Sequence, residues 1–222
     1  MATGKSTKIS WCHHTFNLAW GCSHVPPGCS RCYAEVWARR TGHDVWGARG
    51  ERRTFGAKHW AEPLAWNGAA RHAGQRRRVF CASMADVFDD HPALPPERAK
   101  RWPLVEATPW LDWLLLTKRI ENAAGMVPWG DSWPGNVWIG TSVENQEWAE
   151  KRIPVLLHLP AIVRFVSCEP LIGPVDLRRI TARNGACIDC LRGDVIYAGD
   201  APDPRPWRLS VPTLSPAPRL PA

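Results

Sequence analysis

Short runs of apolar residues, each stopping in a polar or charged cluster, recur through the middle of the chain. Val79-Phe80-Cys81-Ala82-Ser83 runs into Met84-Ala85-Asp86, and Trp113-Leu114-Leu115-Leu116 into Thr117-Lys118-Arg119. Val137-Trp138-Ile139-Gly140 ends in Thr141-Ser142-Val143-Glu144-Asn145, and Ile162-Val163-Arg164-Phe165-Val166 in Ser167-Cys168-Glu169-Pro170. Near-continuous apolarity over four or five residues marks strands buried on both faces. Asp194 to Gly199 is read as a fifth strand of the same kind. Between the strands lie helical stretches. Pro96 to Thr108 has a proline in its first turn and Pro103 as a candidate kink, and Gln146 to Leu157 contains Pro154. Ile9 to Trp20 holds a short strand-like piece, and a helix begins at Tyr33. Residues 41–78 show no clean period and are read as loops with short helices such as Pro63 to Asn67. Strands alternating with helices predict an α/β fold with a parallel sheet. In such folds the polar clusters at strand C-termini are where sites are built.

Between the first strand-like piece and the first helix stands WGCSHVPPGCSRCYAE, which spaces Cys22, Cys29 and Cys32 as C-x6-C-x2-C. Three thiols are an odd number for disulfides and one ligand short of a closed four-ligand site. A cubane cluster held by three cysteines keeps one iron open to a small ligand. Three readings stand: an open iron–sulfur cluster, a zinc site completed by His24, Cys12, His13 or His14, and plain loop thiols. Cys187 and Cys190 form a second C-x2-C pair with no nearby histidine. Cys81 is expected as a buried thiol, and Cys168 stands at a strand end. Lys118 and Arg119 suit a carboxylate or phosphate. Glu144 and Glu169 suit ribose hydroxyls or an ammonium group, or else an ion pair with Lys118 or Arg119.

Composition changes this picture in three places. The 222 residues, 45% hydrophobic and 22% charged, suit one globular domain. We place it at residues 8–199, with a Pro-rich tail from 200 to 222 expected to be disordered. A net charge of +7 is compatible with a DNA or RNA partner. The N-terminus lacks an apolar signal core and no stretch is long enough to span a membrane, which predicts a cytoplasmic protein. There, eight cysteines are more readily metal ligands or free thiols than a disulfide framework.

The segments KISWCHHTFNLAWGCSHVPPGCSRCYAE, VFCASMADVF, WLLLTKR, NVWIGTSVENQ and RFVSCEPLIGPVDL resemble an uncharacterised, mostly phage- and prophage-encoded family of unknown function. That family is in turn similar to radical S-adenosylmethionine (SAM) enzymes such as spore photoproduct lyase, in its three-cysteine loop and partial (β/α) barrel of the TIM type. The resemblance implies that Cys22, Cys29 and Cys32 ligate a [4Fe-4S] cluster whose open iron chelates SAM. Reductive cleavage of SAM would then give a 5′-deoxyadenosyl radical that abstracts hydrogen from a substrate, nucleic acid among the candidates. By strand order it places Ser83 and Asp86 where such enzymes hold the SAM ammonium, Ser142 and Glu144 at ribose or carboxylate contacts, and Lys118 at the SAM carboxylate or substrate. The spacing C-x6-C-x2-C departs from the commoner C-x3-C-x2-C, and Tyr33 follows the last cysteine where an aromatic usually precedes it. The C-terminus lacks the family's Gly-Gly-Glu-Ser-like strand end. This implies a truncated or divergent barrel whose open side would take a protein partner. The alternatives are a zinc-stabilised nucleic-acid-binding protein without catalysis and a degenerate, inactive member.

Overall fold

The computed structural model describes residues 7, 9–25, 27–192 and the backbone of 194–196. The tail expected at 200–222 falls entirely outside these residues.

Five strands form one parallel sheet in chain order: β1 His14–Thr15, β2 Arg77–Cys81, β3 Leu111–Thr117, β4 Val137–Ser142 and β5 Val163–Ser167. Val79 pairs with Trp113, Leu115 with Ile139 and Ser142 with Ser167. Right-handed crossovers that never reverse direction keep their helices on one side of a sheet, as in a barrel wall. A doubly wound sheet would instead show a switch in strand order. The chain is therefore an α/β protein with a partial parallel barrel. The strands form where the apolar runs predict, within about two residues at each end.

Helices α1 Tyr33–Arg40 and α2 Ala57–His72 lie between β1 and β2. Helix α3, Pro95–Ala107, leads to β3, and a short 3-10 turn with α4, Ala123–Met126, leads towards β4. Helix α5, Gln146–His158, joins β4 to β5 and is capped by Asn145, whose Oδ1 accepts from Trp148 N at 3.0 Å. Pro103 and Pro154 are carried inside single continuous helices.

Two expectations are corrected. Residues 57–72 form one long helix, not loops around a short one. Its buried positions Pro63, Trp66 and Ala70 are spaced three and four apart, a stripe too narrow to stand out among the surrounding Ala and Trp. The strand expected at Asp194–Gly199 exists over Asp194–Ile196 but does not extend the parallel series. It pairs antiparallel with β7, Cys187–Asp189, which pairs antiparallel with β6, Ile180–Thr181, in a separate three-stranded sheet. This sheet, in which the last strand is β8, packs through β6 on α5. Residues 197–199 lie outside the described residues.

The core lies between the sheet and its helices. Trp113 is fully buried at its centre, meeting Phe16 edge-on at 5.6 Å. Cys81 is buried as expected, and burial pushes its thiol up to about 11. Beside it Arg101 is completely enclosed, its guanidinium 5.3 Å from the Trp102 ring and 5.4 Å from that of Trp113. Among the described residues no helix is long and apolar enough to cross a membrane.

Candidate functional site

The cysteine loop sits across the C-terminal ends of β2, β3 and β4. After β1 the chain passes Asn17, whose Oδ1 accepts from Met84 N at 2.7 Å and whose Nδ2 donates to Ser83 Oγ at 3.2 Å. Gly21 N then donates to Met84 O at 3.0 Å. Gly21 adopts φ 109°, a left-handed conformation natural to glycine, and a side chain there would collide with the Val45 carbonyl. Cys22 and Cys32 both border a small apolar cluster of Ala34, Ala38, Val45, Trp46 and Met84. Cys32 stands at the N-cap position of α1 without a side-chain capping bond, and Tyr33 donates its hydroxyl to Ser83 O at 2.8 Å. The loop is thus fastened to the end of β2 at both of its ends.

Beneath it runs a buried network of alternating charge. Asp86 accepts from Thr117 Oγ1 at 2.7 Å, Phe88 N at 3.0 Å, Lys118 N at 3.1 Å and Arg119 Nη1 at 3.3 Å. Arg119 also donates to Ser23 O at 2.6 Å and stands 3.6 Å from Cys22 Sγ. Asp89 accepts from Ser23 N at 3.2 Å and from the enclosed Arg52 at 2.8 Å. Arg52 further holds the carbonyls of Val45, Gly47 and Gly50. Opposite charges at this spacing satisfy one another's desolvation, so residues 22–23 are held by a fixed lattice.

A second cluster supports the other side of the loop. Glu144 is fully buried, paired with Lys118 and with Arg152, whose Nη1 lies at 2.7 Å. Gly28 rests directly on this carboxylate: a Cβ there would come within 2.6 Å of Glu144 Cγ and 2.8 Å of Cδ. Gly28→Ala is therefore expected to destabilise the protein by about 1–3 kcal/mol through overpacking. Urea titration checks this, and an unchanged midpoint would show that the loop does not bear on Glu144.

The cysteines are all free thiols. Burial, reinforced by Asp86 and opposed by Arg119, pushes Cys22 up to about 12. Burial also raises Cys29, while a backbone hydrogen bond and the nearby Lys118 and Arg119 pull it down. Burial disfavours the charge on Arg119, yet Asp86, Cys22 and Asp89 more than offset it, so its pKa is raised. Soft sulfur donors beside cations are what an iron–sulfur cluster takes, so the donor chemistry fits. Among the described residues no three His, Cys, Asp or Glu side chains are gathered closely enough to hold a metal ion as they stand. Seating a cluster would draw the loop's thiols together.

The remaining expected residues fall at strand ends. Ser83 and Lys118 are half-buried; Asp86, Ser142 and Glu144 are buried. The Asp86 and Glu144 carboxylates are occupied by protein partners. Lys118 and Glu144 form an ion pair with each other, and Lys118 keeps part of its side chain exposed. Among the described residues no three His, Cys, Asp or Glu side chains gather into a zinc site at the loop. His24 pairs with Glu35 at 2.7 Å, His13 accepts from Arg78 N at the start of β2, and His14 stacks on Trp66 at 4.3 Å. Cys12 is buried beside Phe80 and Cys81. Cys187 lies on β7 of the small antiparallel sheet, and Cys190 is buried in the turn directly after it. No motif of the sequence singles out Asn17, Arg52, Asp89, Arg152 or Gly28, and only the fold brings them together at the loop.

The fold resembles two mutant forms of spore photoproduct lyase. One aligns at a TM-score of 0.50 and 15% identity, over 75% of this chain and 47% of that one. The other, with bound AdoMet and dinucleoside spore photoproduct, aligns at 0.49 and 15%, over 69% and 44%. This chain spans about half the length of those structures. At this identity the likeness is one of fold. No curated protein matches the chain. Residues 6–203 match the family described as "Protein of unknown function (DUF5131)", and the chain belongs to that family.

Proposed function

We propose that the chain is a radical SAM-like iron–sulfur protein, with Cys22, Cys29 and Cys32 as cluster ligands. The observation that carries the reading is the placement of three free thiols on one loop over the C-terminal ends of a singly wound parallel sheet, with Arg119 3.6 Å from Cys22 Sγ. The shared fold with spore photoproduct lyase supports it. A [4Fe-4S] cluster with SAM supplies one-electron cleavage of SAM and hydrogen abstraction.

The chain's own residues have separate tasks. Arg119 and Lys118 hold positive charge against the anionic ligand set. Because Cys22 is held neutral by burial and Asp86, loading releases its proton. Ser83 and Lys118, the half-buried members, are the groups we assign to the polar atoms of SAM. Asp86, Ser142 and Glu144 act one layer behind: Asp86 fixes Thr117, Lys118 and Arg119, Glu144 fixes Lys118, and Ser142 O holds Arg152 at 2.8 Å. Cys22 and Cys32 pack on one side against Ala34, Ala38, Val45, Trp46 and Met84, which gives the sulfurs an apolar flank.

Anaerobic reconstitution tests the reading. About four irons per chain, and a change in the electron paramagnetic resonance of the reduced protein on adding SAM, are expected. One tightly held zinc with no iron uptake would replace it with a structural metal site.

A further inference from the structure

Beside the cysteine loop, helix α1 and the segment after it carry aromatic rings to the surface. Tyr33 is 66% and Trp37 47% exposed, one helical turn apart on one face. Trp37 meets Trp20 edge-on at 5.0 Å, and Arg53 lies over the Trp20 ring at 4.3 Å. Phe55 comes next, 6.0 Å from Trp20 and 5.6 Å from the Arg53 guanidinium. His43 closes the cluster 5.4 Å from Trp20 and touches Arg53 at 3.1 Å. Beyond Phe55 an open groove of about 470 Å³ is walled by Phe55, Trp60, Lys100, Leu104 and the first turn of α2. The aromatic surface is thus continuous from Tyr33 to the groove. Trp20 stands two residues before Cys22.

The charge on this face is uneven. Arg40, Arg49, Arg53 and Lys58 are exposed and form no ion pair with a carboxylate among the described residues. Of the carboxylates on the same segments, Glu35 already pairs with Arg39 at 2.8 Å and with His24, and Glu62 lies 3.8 Å from His59, leaving the exposed Asp44 and Glu51. Across the groove, Lys100 pairs with Glu97 at 2.6 Å and lies 5.8 Å from the Trp60 ring. Two exposed rings, Tyr33 and Trp37, and three half-buried ones, Trp20, Phe55 and Trp60, interleaved with guanidinium groups match unstacked bases joined by phosphates. A duplex hides its base faces, and an apolar peptide would want aliphatic side chains where this face offers arginines.

We propose that this face binds single-stranded nucleic acid, with bases stacked on Trp37, Phe55 and the Trp60 wall and phosphates on Arg40, Arg49, Arg53 and Lys58. The proposal stands independently of the cluster. If both hold, the strand passes the mouth of the cysteine loop.

The test uses the full chain, metal-free and reconstituted in separate arms, so that failure of one reading leaves the other measurable. Anisotropy of a labelled oligothymidylate of about 12 nucleotides should show saturable binding in both arms at about 50 mM salt, weakening as salt rises. Trp37→Ala and Phe55→Ala should each weaken it about fivefold or more, the loss of one stacked base at ~1 kcal/mol. Trp37→Phe should retain most of the affinity. Arg53→Ala should lower the salt slope by about one. Lys151→Ala, which removes an exposed cation on α5, should change nothing. Circular dichroism of each variant separates lost binding from lost folding. Equal affinity for an abasic oligomer of the same length or for a duplex would overturn the proposal. So would no saturable binding at low salt, or self-association that Trp37→Ala abolishes.

Discussion

Glu144→Ala is expected to lower the melting temperature by about 6–20 °C, from ~3–5 kcal/mol lost at about 2–4 °C per kcal/mol for a chain of this size. Glu144 is fully buried and Arg152 is 2% exposed, so neither charge can turn to water. Arg152 Nε and Nη2 have no hydrogen-bond partner among the described atoms, which leaves Glu144 as the carboxylate that balances this cation. Removing it strands a guanidinium in the interior between α5 and the sheet. Lys118, half-buried, can extend its stem and regain water, so the cost falls mainly on Arg152. Glu144→Leu combined with Arg152→Met should therefore recover most of the loss, because two uncharged side chains replace a buried pair. A calorimetric scan decides it. A Glu144→Ala protein melting within about 2 °C of the parent would mean that Arg152 finds another partner.

The second large effect concerns the loop thiols. Cys22→Ala, Cys29→Ala and Cys32→Ala should each reconstitute with fewer than about one iron per chain where the parent takes about four. A cubane with one open iron has no spare protein ligand to lose. Cys81→Ala, Cys168→Ala and Cys187→Ala should load fully, since these residues lie in the core, after β5 and on the small antiparallel sheet. Cys12→Ala separates the remaining alternative. It should also load fully, because Cys12 is buried beside Phe80 and Cys81 rather than held over the strand ends. Full iron content in any of the three loop variants would exclude that residue as a ligand.

The parallel strands were legible because strands buried on both faces have little choice of residue. Leu114-Leu115-Leu116 and Val137-Trp138-Ile139 announce themselves without any period. Helix α2 was not legible, because most of its surface faces water and a few small or aromatic positions do the packing. The strand at Asp194–Ile196 was placed in the wrong sheet, since three residues carry no information about which neighbour they pair with. The candidate site divides in the same way. The cysteines and the polar strand ends are local patterns. The lattice that holds them is not: Asp86 meets Arg119 and Arg52 meets Asp89 across 33 and 37 residues of sequence. Glu144 could be read equally as a ligand contact or an ion-pair partner, because only the fold decides whether a strand-end carboxylate finds a cation first.

Gly28 and Arg152 lean on opposite sides of one carboxylate, so the cysteine loop and helix α5 share a keystone. Loading the loop then does more than fill a site. A group that fastened residues 22–32 would also hold Gly28 against Glu144, and through Arg152 it would steady the helix on which the small antiparallel sheet packs. The free energy of holding such a group would then add to the resistance of α5 to local opening. Loss of the group would register first as fraying of the α5 corner of the domain, well away from the sulfurs themselves.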